Sequence, residues 1–173
     1  LLPAIFFVFS RRGCEEEAGR VGRSLQLLSR EEEVEARQII QKWALDNEAV
    51  ATLDSENDRI QLLTRGVAAH HAGLLPQYKT LVEDLFKKGL VKACFATETL
   101  AAGVNLPART TIITSLKKRG DDGIEPLTTA GLLQMAGRAG RRGKDKAGTV
   151  LVMRGHRNGA NDADLARRIL LAK

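Results

Sequence analysis

Cysteine is scarce in this chain. Cys14 and Cys94 are the only two, with no CxxC pair, so neither a disulfide framework nor a zinc ribbon is indicated. Two isolated thiols suit a reducing interior, and the expectation is an intracellular protein whose compartment stays open. Long hydrophobic runs are missing too: none approaches the roughly 20 residues that a membrane-crossing helix needs, so no membrane partner is expected. The opening LLPAIFFVF lacks the basic start and small-residue cleavage site of a signal peptide. Running straight into an apolar stretch at Leu1, it reads as cut from a longer polypeptide. Aromatics are few, one Trp, one Tyr and five Phe, which makes stacking on aromatic platforms an unsuitable main mode of binding.

What the chain has is ordinary core-forming content and an excess of cations. Hydrophobic residues make up 43% of 173 residues, enough for one globular domain with a normal core. The formal net charge is +6, which favours an anionic partner without naming it. The excess is also local: Arg138, Arg141, Arg142, Lys144, Lys146, Arg154 and Arg157 are opposed between positions 138 and 157 by Asp145 alone.

Strand and helix signals alternate. Ile5–Phe9, Val67–His70, Val91–Ala96, Thr110–Thr114 and Thr149–Met153 are short apolar or β-branched runs of the kind buried in a parallel sheet. Between them, Ala18, Val21, Leu25 and Leu28 share one side of a helix, and Ala36, Ile39, Ile40 and Trp43 repeat at amphipathic spacing. A short helix is expected from Arg59 to Thr64. Pro76 opens the clearest helix, with Tyr78, Leu81, Val82 and Leu85 as its apolar face and Lys87-Lys88-Gly89 as its close. Asp164–Leu171 reads as a helical tail. The fold class is therefore α/β, a mostly parallel sheet with helices on both faces. Ser115–Leu127 breaks the alternation; its Gly-Asp-Asp-Gly turn predicts a protruding β-hairpin, with a plain surface loop as the alternative.

The unusual segments lie at the ends of these elements: SRRG, HHAG, ATETLAAGVNLPAR and, before the last strand, QMAGRAGRRG. All four are expected to converge on one sheet edge, beyond the carboxyl ends of the strands, where ligands gather in such sheets. In QMAGRAGRRG the spacing of Gln134, Arg138 and Arg141 places them on one face of a helix starting near Thr128. Guanidinium groups there would make paired, charge-assisted bonds to phosphate oxygens. The segment AGRRGKD imitates part of a phosphate loop, but the G-x-x-x-x-G-K-[ST] pattern fails at Arg138 and Asp145. The His70-His71 pair invites a metal reading. Adjacent side chains at a strand end point to opposite faces, however, and no carboxylate or cysteine pattern accompanies them, so no metal ligands are assigned.

In order and spacing, these four segments resemble the second RecA-like domain of superfamily 2 helicases, and their wording is most similar to the Ski-like DExH-box RNA helicases. The resemblance runs from about Pro3 to Met153, within a single domain taken as 1–173. Positions 29–65 match no motif and read as a variable helical insertion, 115–127 as the hairpin and 154–173 as the tail. The resemblance implies a RecA-like fold, and a nucleotide held between this domain and a first RecA-like domain that these residues lack. Gln134, Arg138 and Arg141 would face the γ-phosphate, with Arg141 as arginine finger and Arg142 a surface or RNA-facing charge. Gly103 and Asn105 would approach the ribose and phosphates. Ser10, Arg11, His71, Gly73 and Thr97 would hold the phosphate backbone of single-stranded RNA, and the hairpin would act as a wedge at a duplex junction. ATP and Mg²⁺ would be bound mainly by the missing domain, so the fragment alone is expected to be inactive. Two alternatives stay open: a DNA repair helicase of the same branch, since backbone contacts do not tell RNA from DNA, and a non-catalytic RNA-binding module.

Overall fold

The computed structural model describes residues 1–120, 123–153 and 159–171. The chain forms β1 (Ala4–Phe7), α1 (Arg11–Ser24), α2 (Arg30–Asp46), α3 (Glu48–Ala51), α4 (Asp54–Leu63), β2 (Val67–His70), α5 (Pro76–Lys87), β3 (Ala93–Ala96), α6 (Thr99–Gly103), β4 (Thr110–Ile113), β5 (Lys117–Gly120), β6 (Gly123–Pro126), α7 (Thr129–Ala136), β7 (Thr149–Val152) and α8 (Gly159–Leu171). Five strands make a parallel sheet in the order β2-β3-β1-β4-β7, and β5 and β6 make the antiparallel hairpin.

The sheet is held by side chains that alternate between its faces. On one face Cys14 and Ala18 of α1 pack on Val67, Ala69, Ala93 and Phe95, and the Phe6 and Phe95 rings stack with centroids 4.7 Å apart. On the other face Ile5, Phe7, Ala68, Cys94, Ala96 and Ile113 meet Tyr78, Leu81, Val82 and Leu85 of α5 and Leu132 and Met135 of α7. This two-sided burial is why the central strands read as unbroken apolar runs. Both cysteines are buried; burial pushes the Cys14 thiol up to about 12 and raises that of Cys94 as well. The edge strand β7 is different: Val150, Leu151 and Val152 are exposed.

Local sequence explains most element ends. Ser10 caps α1, its hydroxyl accepting from the Gly13 amide at 3.0 Å. Ser29 and Glu32 form a capping box at the start of α2, the reciprocal arrangement that satisfies two otherwise unpaired amides. α1 ends at Ser24, sooner than the apolar spacing predicts; Leu25 is exposed and Leu28 is buried beyond the helix. α8 covers the expected terminal helix, beginning at Gly159, and docks through Ile169, whose carbonyl accepts from the Thr129 hydroxyl at 2.6 Å.

One sequence expectation fails here. α7 stops at Ala136 with Gly137 as its cap, so Arg138 and Arg141 lie beyond the helix and share no helical face with Gln134. The backbone groups that would extend the helix are taken up elsewhere. Ala108 donates to the Arg138 carbonyl at 2.9 Å and accepts from the Gly140 amide at 2.7 Å. Gly140 adopts φ +91, a left-handed conformation that side chains resist. Gly148 packs so closely that a Cβ there would stand 2.4 Å from the Ala139 carbonyl carbon.

A second expectation is corrected with it. Ala108 and Thr149 precede or open β4 and β7, and Thr149 pairs with Thr110 at the first position of each strand. The Arg138–Gly143 loop therefore sits at the amino edge of the sheet, opposite SRRG, HHAG and ATET. Three segments converge on the carboxyl edge; the fourth does not.

Candidate functional site: two clefts at opposite sheet edges

At the carboxyl edge a cleft of about 500 Å³ is lined by Phe9, Ser10, Arg11, Ala72, Thr97, Glu98, Thr99, Lys118, Arg119, Gly120 and Glu125. It brings together the segments after β1, β2 and β3 with the hairpin. The Thr97 amide donates to the His70 carbonyl at 3.2 Å, and the Thr97 and Thr99 hydroxyls lie 2.8 Å apart. Ser10 and Arg11 are exposed. Arg11 lies along the next turn: a Cβ on Gly73 would meet its Cδ at 3.2 Å and its Nη1 at 3.3 Å.

The HHAG turn is shaped from below. His71 is buried, and its Nε2 lies 3.1 Å from Glu15 Oε1 while its Nδ1 accepts from the Gly73 amide at 3.2 Å. The Gly73 amide is thus already bonded within the turn. Burial pushes the Glu15 carboxyl up, but hydrogen bonds from His71 and Arg59 outweigh it and hold the group below the usual carboxylate range. His70 faces the other way, 3.1 Å from Glu83 Oε1, and its burial favours the neutral ring despite that carboxylate. The two histidines do point apart. Among the described residues no group of three His, Cys, Asp or Glu stands close enough to hold a metal ion.

The hairpin is tied to this cleft. Lys118 Nζ reaches Glu98 Oε1 at 2.8 Å and Oε2 at 3.1 Å, and that bond raises the Lys118 pKa. Glu98, Lys118 and Glu15 are contributors that the sequence reading missed. A charged residue inside an otherwise small and polar segment, as Glu98 is in ATET, was the available signal.

At the amino edge a second cleft, about 300 Å³, is lined by Pro3, Phe86, Lys87, Lys88, Gly89, Leu106, Pro107, Arg141, Arg142 and Lys144. Five of these are cations. Arg141 is held by Asp145, which accepts from its Nε at 2.8 Å, its Nη2 at 2.9 Å and its backbone amide at 3.0 Å. The Asp145 carboxylate, only 6% exposed, lies well below its ordinary range because of that hydrogen-bonded arginine. One edge of the guanidinium is occupied, and among the described residues its Nη1 has no hydrogen-bond partner, which suits a pre-set donor for an anion. Arg138 does not line this cleft; its Nη2 donates to the Ala101 carbonyl of α6. Gln134 is exposed on α7, and Gly103 and Asn105 are exposed on the connection between the two edges. Arg154 and Arg157, part of the basic cluster read from sequence, lie outside the described residues.

The segment Thr97–Arg109 therefore runs from one cleft to the other. It begins at Thr97 and Thr99 in the carboxyl-edge cleft, is gripped midway by Arg138, and ends at Leu106 and Pro107 in the amino-edge cleft.

Comparison with known proteins gives the family. Residues 25–143 match the helicase conserved C-terminal domain. The chain is 50% identical over 154 residues to the chloroplastic DExH-box ATP-dependent RNA helicase DExH15 of Arabidopsis thaliana, covering 88% of this chain and 13% of that protein. It is 43% identical over 160 residues to the antiviral helicase SKI2 of Saccharomyces cerevisiae, covering 88% and 12%. It is 47% identical over 156 residues to the probable helicase HelY of Mycobacterium tuberculosis, covering 88% and 17%. The chain thus spans less than a fifth of the length of each of these relatives. With its RecA-like sheet and hairpin, it belongs to the helicase conserved C-terminal domain family, and the relatives it resembles are Ski2-like DExH-box helicases.

Proposed function

We propose that this chain is the second motor domain of an ATP-dependent RNA helicase, with single-stranded RNA running along the carboxyl-edge cleft and ATP reached from the amino-edge cleft. The observation that carries the reading is the separation of a mixed, hydroxyl-rich cleft from a cationic one, bridged by the single segment Thr97–Arg109. Backbone phosphates need several modest donors without sequence preference, and Arg11, Thr97 and Thr99 offer them. Triphosphate chemistry needs fixed positive charge where charge redistributes, and Arg141 offers that.

In this reading the first RecA-like domain holds ATP and Mg²⁺, the metal neutralising charge on the phosphates when bound. Arg141, oriented by Asp145, donates its open N–H groups to the γ-phosphate oxygens. Arg142, Lys88 and Lys144 add to the positive potential at the cleft mouth. Arg138 acts from a different position: by holding the Ala101 carbonyl it fixes the linking segment, so movement of the arginine loop is passed toward Thr97. Gly103 and Asn105 lie exposed along that segment, and Gln134 lies exposed on α7, where they can meet the nucleotide when the domains close. The hairpin, anchored by Lys118–Glu98, projects beside the RNA cleft and serves as the wedge.

The test is steady-state ATP hydrolysis by the full-length parent protein, with single-stranded RNA and single-stranded DNA compared at one salt concentration. Stimulation by RNA alone is expected. Stimulation by DNA alone would move the protein to the DNA repair branch, and no turnover with either would make it a binding module.

A further inference from the structure

The helical segment 29–65, read from sequence as an insertion, matches none of the motif segments, yet one of its side chains reaches toward the carboxyl-edge cleft. Arg59, on α4, donates through Nε to Glu15 Oε1 at 2.9 Å, and its Nη2 lies 2.7 Å from the same oxygen. Its Nη1 donates to Glu56, whose side chain is only 2% exposed. Glu15 belongs to α1, and its Oε1 is the atom that meets His71 Nε2.

The bonding has one consistent direction. His71 Nδ1 accepts from the Gly73 amide, so in the neutral ring the proton sits on Nε2 and is donated to Glu15. The carboxylate that fixes this tautomer and ring plane is itself fixed by Arg59. The outcome is a chain of contacts from α4 through α1 to the 71–73 turn, ending at the peptide against which Arg11 lies. Neither Arg59 nor Glu15 lines the cleft. Both act through another group.

We propose that Arg59 and Glu15 are positioning residues: the insertion acts as a strut that sets the shape of the 71–73 turn, and through it the affinity of the carboxyl-edge cleft for single-stranded RNA. The affinity part rests on the RNA reading given above. A guanidinium forked between two carboxylates suits this task because its donors are planar and rigidly spaced. An ordinary surface pair would leave the ring free to turn.

The experiment uses the full-length parent with a fluorescein-labelled single-stranded RNA oligonucleotide. Arg59→Met removes the fork, and the double variant Glu56→Gln/Arg59→Met removes it without leaving Glu56 as an uncompensated buried charge. Both should raise the RNA Kd about tenfold, the scale of one lost charge-assisted hydrogen bond. The ATPase kcat at saturating RNA should stay within about twofold, because the interaction serves binding rather than the chemical step. Hydrogen exchange at the Gly73 amide should accelerate in both, and Arg59→Lys should restore part of the affinity.

An unchanged Kd in the double variant, whatever its Tm, would overturn the strut. So would an equal collapse of kcat and affinity, which marks general loss of fold. If the unmutated parent binds no RNA, the RNA reading fails instead. Gly73 exchange then decides the strut alone: acceleration in the variants upholds it, and unchanged exchange overturns it.

Discussion

The two edges of the sheet solve different electrostatic problems. At the carboxyl edge charges of both signs meet: Lys118 pairs with Glu98 in the cleft, and behind it His71 pairs with Glu15 and Glu15 with Arg59. The rest of the cleft is a set of hydroxyls, a turn, Arg11, Arg119 and the acidic Glu125. At the amino edge five cations surround a smaller cleft, and Asp145 holds one of them in a fixed pose. A surface that must bind a sliding polymer benefits from many replaceable contacts. A surface that must stabilise a transferring phosphoryl group benefits from a single charge held in place. Charge alone therefore does not mark a nucleic-acid face; the more cationic cleft is the one proposed for nucleotide.

The contrast breaks most visibly in a matched pair of variants of the parent protein. Arg141→Ala should lower ATP hydrolysis by about 10³-fold or more, the scale of an arginine finger, with little change in RNA affinity. Arg11→Ala should do the reverse, weakening RNA binding and flattening its salt dependence by about 0.7 in log–log slope, one phosphate contact on a single strand. If the two phenotypes coincide, the division between edges is wrong. Replacing Lys117–Pro126 by a short Gly-Ser turn should give a smaller, more selective effect. Duplex unwinding should fall several-fold while RNA-stimulated hydrolysis persists; equal loss of both would remove the hairpin from the wedge role.

The smallest effect is on stability against pH. His70 lies near the carboxyl edge, and burial lowers its folded pKa below the unfolded one. Its contribution is therefore fully present above the unfolded value of about 6.5, and is lost as pH falls through the folded value. Asp145, at the amino edge, is also depressed, but its contribution is lost only below its unfolded value of about 3.9. Tm should thus decline in two limbs on acidification, and His70→Gln should flatten the one between pH 7 and 5. A Tm constant over that window in the unmutated protein would contradict the assignment.

Much of the fold was legible because its signals are local. Pro76 and the spacing of Tyr78, Leu81, Val82 and Leu85 marked α5, unbroken apolar runs marked the central strands, and Gly120 and Gly123 marked the hairpin. The end of α7 was not legible, because what stops it is a contact between Ala108 and the Arg138–Gly140 backbone, distant in sequence. The same contact carries the arginine loop to the amino edge, which a strand-by-strand reading does not reveal. Ser10, Arg11, Thr97 and Arg141 were singled out from sequence and line the two clefts, whereas the residues that hold them in place were not singled out. Glu15 and Arg59 stand 44 positions apart, and nothing in periodicity pairs them. Asp145 was visible only as an opposing charge in a basic run, when in the fold it orients the arginine beside it.

The burial of Cys14 and Cys94 has a practical consequence. With both thiols enclosed and Cys14 shifted up to about 12, neither offers appreciable thiolate to a maleimide or to an oxidant at neutral pH. A cysteine introduced at an exposed position such as Arg12→Cys, beside the carboxyl-edge cleft, would be this domain's one reactive handle. A single dye there could report ligand binding at that cleft in real time, without first stripping native cysteines from the core.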